Sequence, residues 1–298
     1  MIKKISSRLM LVFTLLFAGW YYLIALKEQP MELMSILAAY EYQQLSPIDM
    51  RMKEMQPGLF EFSYTSFDGQ RVIGQIGYPE TRSASYPVLL GVPAMGHSYI
   101  QWWVDSIDGR PSDTQVDKIT ELANRKGYVV IAIDPRFHGK REDPARTLRS
   151  IMNDLHFFGD KSGYEAMVRD TVIDYCVLLD WIETQPELDA SAVVAAGYSM
   201  GGQVSLLLGA VDQRINRVIS IVPPYLDDKT ALVAPKNLVQ LFDDKPVLLV
   251  TANSDKNATA SQNKALFEQI KSKNKRRINF TGGHILPENY VERLADWF

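Results

Sequence analysis

The segment Gly197-Tyr198-Ser199-Met200-Gly201 stands between two runs of different character. Before it, Ala192-Val193-Val194-Ala195-Ala196 is small and apolar, the pattern of a central parallel strand covered on both faces. After it, Gly202-Gln203-Val204-Ser205-Leu206-Leu207-Leu208 reads as a buried helix. A strand that becomes a helix within one residue strains the backbone at the turn. Glycines two positions to either side let neighbouring chain come close. Ser199 is therefore expected at the carboxyl edge of a sheet with a helix N-terminus beneath it, a place suited to a nucleophile.

The rest of the chain repeats a strand–helix rhythm. Runs 59–67 and 71–78 alternate around Asp68-Gly69-Gln70, a hairpin signal. Strands follow at 88–92, 128–133, the elbow run, 217–222, 247–250 and 277–280. Helices are expected at 114–126, 164–184, 261–271 and 287–298, the last with Val291, Leu294 and Trp297 on one face. This pattern predicts an α/β fold: a mostly parallel eight-stranded sheet with helices on both faces and an antiparallel edge formed by the first two strands. Three segments are expected: 1–30, an anchor or signal segment; 31–57, a linker with short helices; and 58–298, a single catalytic domain.

The 298 residues, 46% hydrophobic and 22% charged, can bury a substantial core and give no sign of disorder. Net charge is −3; the first 30 residues carry Lys3, Lys4, Arg8 and Lys27 against Glu28, which leaves about −6 on the remainder and argues against a nucleic-acid partner. Cys176, the sole cysteine, can form neither an intrachain disulfide nor a thiolate cluster. Leu9 to Leu26 runs 18 residues without a charge behind three basic residues, with Trp20, Tyr21 and Tyr22 suited to an interface. It predicts an uncleaved membrane anchor with the catalytic domain on the extracytoplasmic side; the rival reading is a signal peptide whose removal releases the protein. Leu16-Phe17-Ala18 is a poor cleavage site, which favours the anchor. Asn257-Ala258-Thr259 and Asn279-Phe280-Thr281 match a glycan acceptor pattern beside the expected site, so a bacterial envelope suits the chain better than a glycosylating compartment.

In an open parallel sheet, functional groups gather beyond the carboxyl ends of the strands. Ser199 follows the elbow strand, Asp255 follows 247–250, and Gly282-Gly283-His284 follows 277–280. A nucleophile, an acid and a histidine in that order suit a triad. The imidazole takes the serine proton during attack, and the carboxylate fixes its tautomer. Asp227 and Asp228 are the reserve acids. Charge developing on a carbonyl oxygen needs fixed donors; the N–H of Met200 is one candidate, and the loop Pro93 to Ser98 supplies another, Met95 first and Ala94 in reserve. His97, Tyr99 and Trp102 are candidate substrate contacts, His138 reads as structural, and Met152 to Phe158 as a small lid or surface loop. The four histidines lack ligand spacing, so neither a metal nor a cofactor is expected.

Three motifs, G-Y-S-M-G-G at the elbow, D-P-R-F-H-G at Asp134–Gly139 and G-G-H at Gly282–His284, together resemble the α/β-hydrolase-fold serine hydrolases from about Leu59 onwards. Within that fold the chain looks most like the dienelactone-hydrolase-like and acetyl-esterase-like branch. Pro93-Ala94 departs from the His-Gly usual there at the oxyanion loop, and Ser199 from the cysteine nucleophile of some members. The resemblance implies hydrolysis of a small-molecule carboxylic ester of modest size through an acyl-serine. The 24 residues between Val222 and Val247, where many relatives carry a large cap, imply an open site. Peptidase, thioesterase or acyltransferase chemistry would use the same triad, and a non-catalytic binding protein would need none of it.

Overall fold

In the computed structural model, residues 2–44, 46–107 and 109–298 are described, with side chains from Leu9 onwards. Among them, nine strands form one sheet: β1 (Arg51–Gln56), β2 (Leu59–Thr65), β3 (Arg71–Gly77), β4 (Tyr86–Val92), β5 (Val129–Ile133), β6 (Leu188–Tyr198), β7 (Ile215–Ile221), β8 (Val247–Ala252) and β9 (Lys275–Phe280). Their order is β1-β2-β3-β5-β4-β6-β7-β8-β9. β1, β2, β3 and β5 pair antiparallel, and every pair from β5 through β4 to β9 is parallel.

The eight strands expected are all present, and β1 is added. It lies upstream of residue 58, inside the stretch read as linker, so the sheet starts earlier than the sequence reading places it. All six β1 side chains are exposed. Backbone bonds to β2 hold this edge, and its charged residues discourage further pairing.

Among the described residues seven α-helices accompany the sheet: α1 (Ile2–Leu23), α2 (Leu33–Ala38), α3 (Val116–Arg125), α4 (Leu148–Phe157), α5 (Ser162–Ile182), α6 (Met200–Val211) and α7 (Ala260–Gln269). The C-terminal Glu288–Trp297 stretch is 3₁₀ and buries Val291, Leu294 and Trp297. Alternate strand residues feed two apolar clusters: Val88, Leu90 and Val92 join one, Leu89 the other. Both faces of the central strands are therefore dry, which fixes their register.

Among the described residues no helix is long and apolar enough to cross a membrane. The transmembrane anchor expected over residues 1–30 is accordingly not supported. From Leu9 to Leu23 the side chains of α1 are nonetheless mostly exposed.

The D-P-R-F-H-G run is a structural knot. Arg136 donates Nε and Nη2 to both carboxylate oxygens of Asp174 (2.8 and 2.6 Å), and its Nη1 to Asp68 (2.6 Å). Arg141 adds a further bond to Asp174 (2.8 Å), which is fully buried. Asp134 accepts from the backbone N–H groups of Tyr99 (3.0 Å) and Lys140 (2.8 Å), tying the loop after β4 to the loop after β5. Removing one member of a buried ion pair strands the other. Arg136→Met is expected to lower unfolding free energy by about 3–5 kcal/mol in urea denaturation.

His138 is buried, and its Nδ1–H donates to the Arg136 carbonyl (2.7 Å). Desolvation holds its pKa down at about 4, against an ordinary 6.5. The unfolded chain therefore takes up this proton first as pH falls, and the ring's contribution to stability, complete above pH 6.5, is lost on the way to pH 4. In paired urea titrations at neutral pH and at pH about 5, wild type should lose more stability than His138→Asn.

Candidate active site

Two glycines make the elbow possible. A Cβ on Gly197 would sit 2.2 Å from the Gly201 carbonyl oxygen, and one on Gly201 would sit 2.1 Å from the Val92 carbonyl oxygen. β6 can thus turn directly into α6 while the end of β4 lies against it. Ser199 pays with φ 56° and ψ −118°, a backbone conformation costing about 1–3 kcal/mol elsewhere in proteins. Its N–H is held by the Ile221 carbonyl at 2.8 Å. Met200 is the first residue of α6, so its N–H has no acceptor within the helix.

The three separated groups meet. His284 Nε2 lies 2.8 Å from Ser199 Oγ, and His284 Nδ1 lies 2.9 Å from Asp255 Oδ2. The second Asp255 oxygen accepts from the Asn257 N–H at 2.8 Å, and the carboxylate is buried. With a carboxylate on Nδ1, that nitrogen carries the proton and Nε2 presents its lone pair to the hydroxyl. The reserve acids lie elsewhere: Asp227 accepts from the Lys229 N–H, and Asp228 pairs with Lys236.

A cavity of about 490 Å³ opens over Ser199. Ala94, Met95, His97, Met200 and His284 line it, as the sequence reading expects of the loop after β4 and the elbow. Tyr99 and Trp102 do not. Tyr99 is 1% exposed with its hydroxyl on Glu61, and Trp102 is wholly buried against Gly91, so both belong to the core and their assignment as substrate contacts is corrected. Met152, Leu155 and His156 reach the cavity from α4, a helix where a loop was expected. Its Leu148, Ile151, Met152 and Leu155 follow helical spacing behind a Thr147 cap, a signal present in the sequence. Leu226 and Ile285 complete an apolar wall. Among the described residues no cluster of three His, Cys, Asp or Glu is placed to hold a metal ion.

Tyr198, the variable position inside the elbow, is the residue that the sequence reading overlooks. Its hydroxyl donates to the His284 carbonyl (2.6 Å) and accepts from the Leu286 N–H (3.1 Å). Its ring meets the His284 ring edge-on, with centroids 5.9 Å apart. Burial pushes the phenol up to about 12, so it stays a donor at neutral pH. Tyr198, next to Ser199, thus clamps the loop bearing His284.

The sheet order and the Ser-His-Asp placement define an α/β-hydrolase. The dienelactone hydrolase family model matches residues 107–280, more than half of the chain, and the chain belongs to that family of ester hydrolases. Among solved structures it is similar to acetyl xylan esterase 1 from Thermoanaerobacterium sp. JW/SL YS485, with 19% identity, TM-score 0.71, and coverage of 91% of this chain and 93% of that one. It is also similar to an acetyl xylan esterase from Paenibacillus sp. R4 (14%, 0.68, 92% and 96%) and to a Pyrococcus furiosus esterase (16%, 0.59, 86% and 96%). At these identities the likeness is one of fold. Among curated protein sequences none matches the chain.

Loss of the Tyr198 clamp leaves the His284 carbonyl and the Leu286 N–H without their partner. Tyr198→Phe should lower kcat for a soluble ester about tenfold while KM changes less than about twofold, because the hydroxyl is engaged with the His284 loop and the ring that lines the cavity is kept. Steady-state kinetics with a pH profile checks this; equal loss in both parameters would point to a general packing defect.

Proposed function

We propose that the protein is a serine carboxylic ester hydrolase working through an acyl-Ser199 intermediate. The observation that carries this is the unbroken chain Asp255–His284–Ser199, at 2.9 and 2.8 Å, at the floor of the cavity. In this reading Ser199 Oγ attacks the ester carbonyl as His284 Nε2 takes its proton. The oxyanion is held by the backbone N–H groups of Met200 and Met95. His284 returns the proton to the departing alcohol. A water activated by the same nitrogen then releases the acid and restores the serine.

The strained serine backbone and the pre-paired imidazole support this assignment, since a binding role gains nothing from either. The cavity wall of Met95, Met152, Leu155, Leu226 and Ile285 suits an acyl group better than a charged one. The acetyl xylan esterases that share the fold act on esters, as their names state, which agrees with the reaction class. We take the substrate to be a small or mid-sized ester.

A panel of p-nitrophenyl esters, aminoacyl anilides and acyl thioesters, compared by kcat/KM, should favour the esters. Ser199→Ala should abolish fluorophosphonate labelling and cut ester turnover by at least about 10⁴-fold, with Asp255→Asn losing about 10³- to 10⁴-fold. Equal labelling of wild type and Ser199→Ala would reject the assignment.

A further inference from the structure

Every apolar side chain from Leu9 to Phe13 and from Leu15 to Phe17 on α1 is exposed. Five consecutive helical positions step through more than a full turn, so the helix is apolar on all sides. A protein groove covers one face of a helix; a helix apolar all round suits a medium that surrounds it. Tyr21 and Tyr22, also exposed, follow at its carboxyl end beside Lys27, whose ammonium sits 3.7 Å from the Tyr21 ring centre. Aromatic and cationic groups at the end of an apolar helix suit a lipid headgroup boundary.

α1 is joined to the catalytic cavity at two points. Trp20 Nε1 donates to the Phe157 carbonyl at the end of α4 (2.6 Å), and the Ile24 carbonyl abuts Gly159, where a Cβ would sit 1.8 Å away. α4 is the helix whose Met152, Leu155 and His156 wall the cavity. Beyond α1, the Gln29 N–H donates to the Asp228 carbonyl (2.9 Å), two residues past cavity-lining Leu226. Phe157 and Phe158, 61% and 67% exposed, project at the α1–α4 joint. None of the three residues Trp20, Phe157 and Phe158 lines the cavity.

We propose that α1, Phe157 and Phe158 form one bilayer-binding surface that seats the cavity against lipid, and that the ester is drawn from the lipid phase as an amphiphile with an acyl chain. Lys27, beside Tyr21 at the carboxyl end of α1, matches an anionic leaflet, whereas residues 31–298, at about −6, are repelled by it. Binding at the surface is thus confined to this end of the molecule. α1 needs to enter the lipid, not to cross it. Through the Trp20–Phe157 bond the depth of α1 sets the position of α4, and with it one wall of the site. This rests on the ester-hydrolase reading for its substrate, and not for the docking itself.

The test uses the full chain with vesicles of phosphatidylcholine, with and without phosphatidylglycerol, in flotation. Turnover is read on soluble p-nitrophenyl acetate and on p-nitrophenyl palmitate embedded in the same vesicles. Wild type should float, more so with the anionic lipid. The double variant Phe157→Ser, Phe158→Ser should keep its acetate turnover within about twofold and lose at least about fivefold on the embedded ester. Trp20→Phe should float like wild type and still lose rate on the embedded ester. Failure of wild type to float, or self-association into a defined oligomer in place of flotation, overturns the proposal. So does an unchanged embedded-ester rate in the double variant. Absence of acetate turnover with flotation intact would instead reject the ester-hydrolase reading.

Discussion

Everything at the candidate site depends on how closely two stretches of backbone approach at the elbow. Gly197 leaves room for the Gly201 carbonyl, and Gly201 leaves room for the end of β4. That contact puts the first turn of α6, the loop after β4 and Ser199 within one small volume. The cost is borne locally, in the positive φ of Ser199, and is offset by a buried sheet whose central strands are apolar on both faces. Any side chain at either glycine would push the serine away from the histidine before altering its chemistry.

A second layer fixes the partners. Tyr198 holds the His284 loop by one donated and one accepted bond, Asp255 is pinned by the Asn257 N–H, and Asp134 ties the β4 loop to the β5 loop. These bonds come from different strand ends, so the site is as rigid as the sheet that carries it. The cavity wall is less uniform. α4 belongs both to that wall and to the joint with α1, so a shift at the joint would carry the wall with it.

The candidate site was legible in the sequence because its polar residues follow strand ends. Ser199 directly follows a strand run read from the sequence, Asp255 and His284 lie a few residues past two others, and the structure brings the three into hydrogen-bond contact. β1 was not legible: Arg51-Met52-Lys53-Glu54-Met55-Gln56 has no buried alternation, since only its backbone is used. Tyr99 and Trp102 misled because aromatic residues beside a functional loop pack inward as readily as they face a ligand; here Glu61 and Gly91 receive them. The cavity wall escaped for another reason. Met152, Leu226 and Ile285 are far apart in sequence and share no period, so only the fold places them together. Tyr198 lay in plain view, but its role depends on the loop opposite, which no local pattern describes.

Catalysis through an acyl-enzyme requires that Ser199 become covalently acylated. Brief exposure to p-nitrophenyl acetate, an acid quench and peptide mapping by mass spectrometry test it directly. The mass of one acetyl group is expected on the peptide bearing Ser199, appearing within a turnover and fading as substrate is spent. Turnover with the acetyl group on another residue, or with no acylated peptide and no burst of p-nitrophenol, would contradict it.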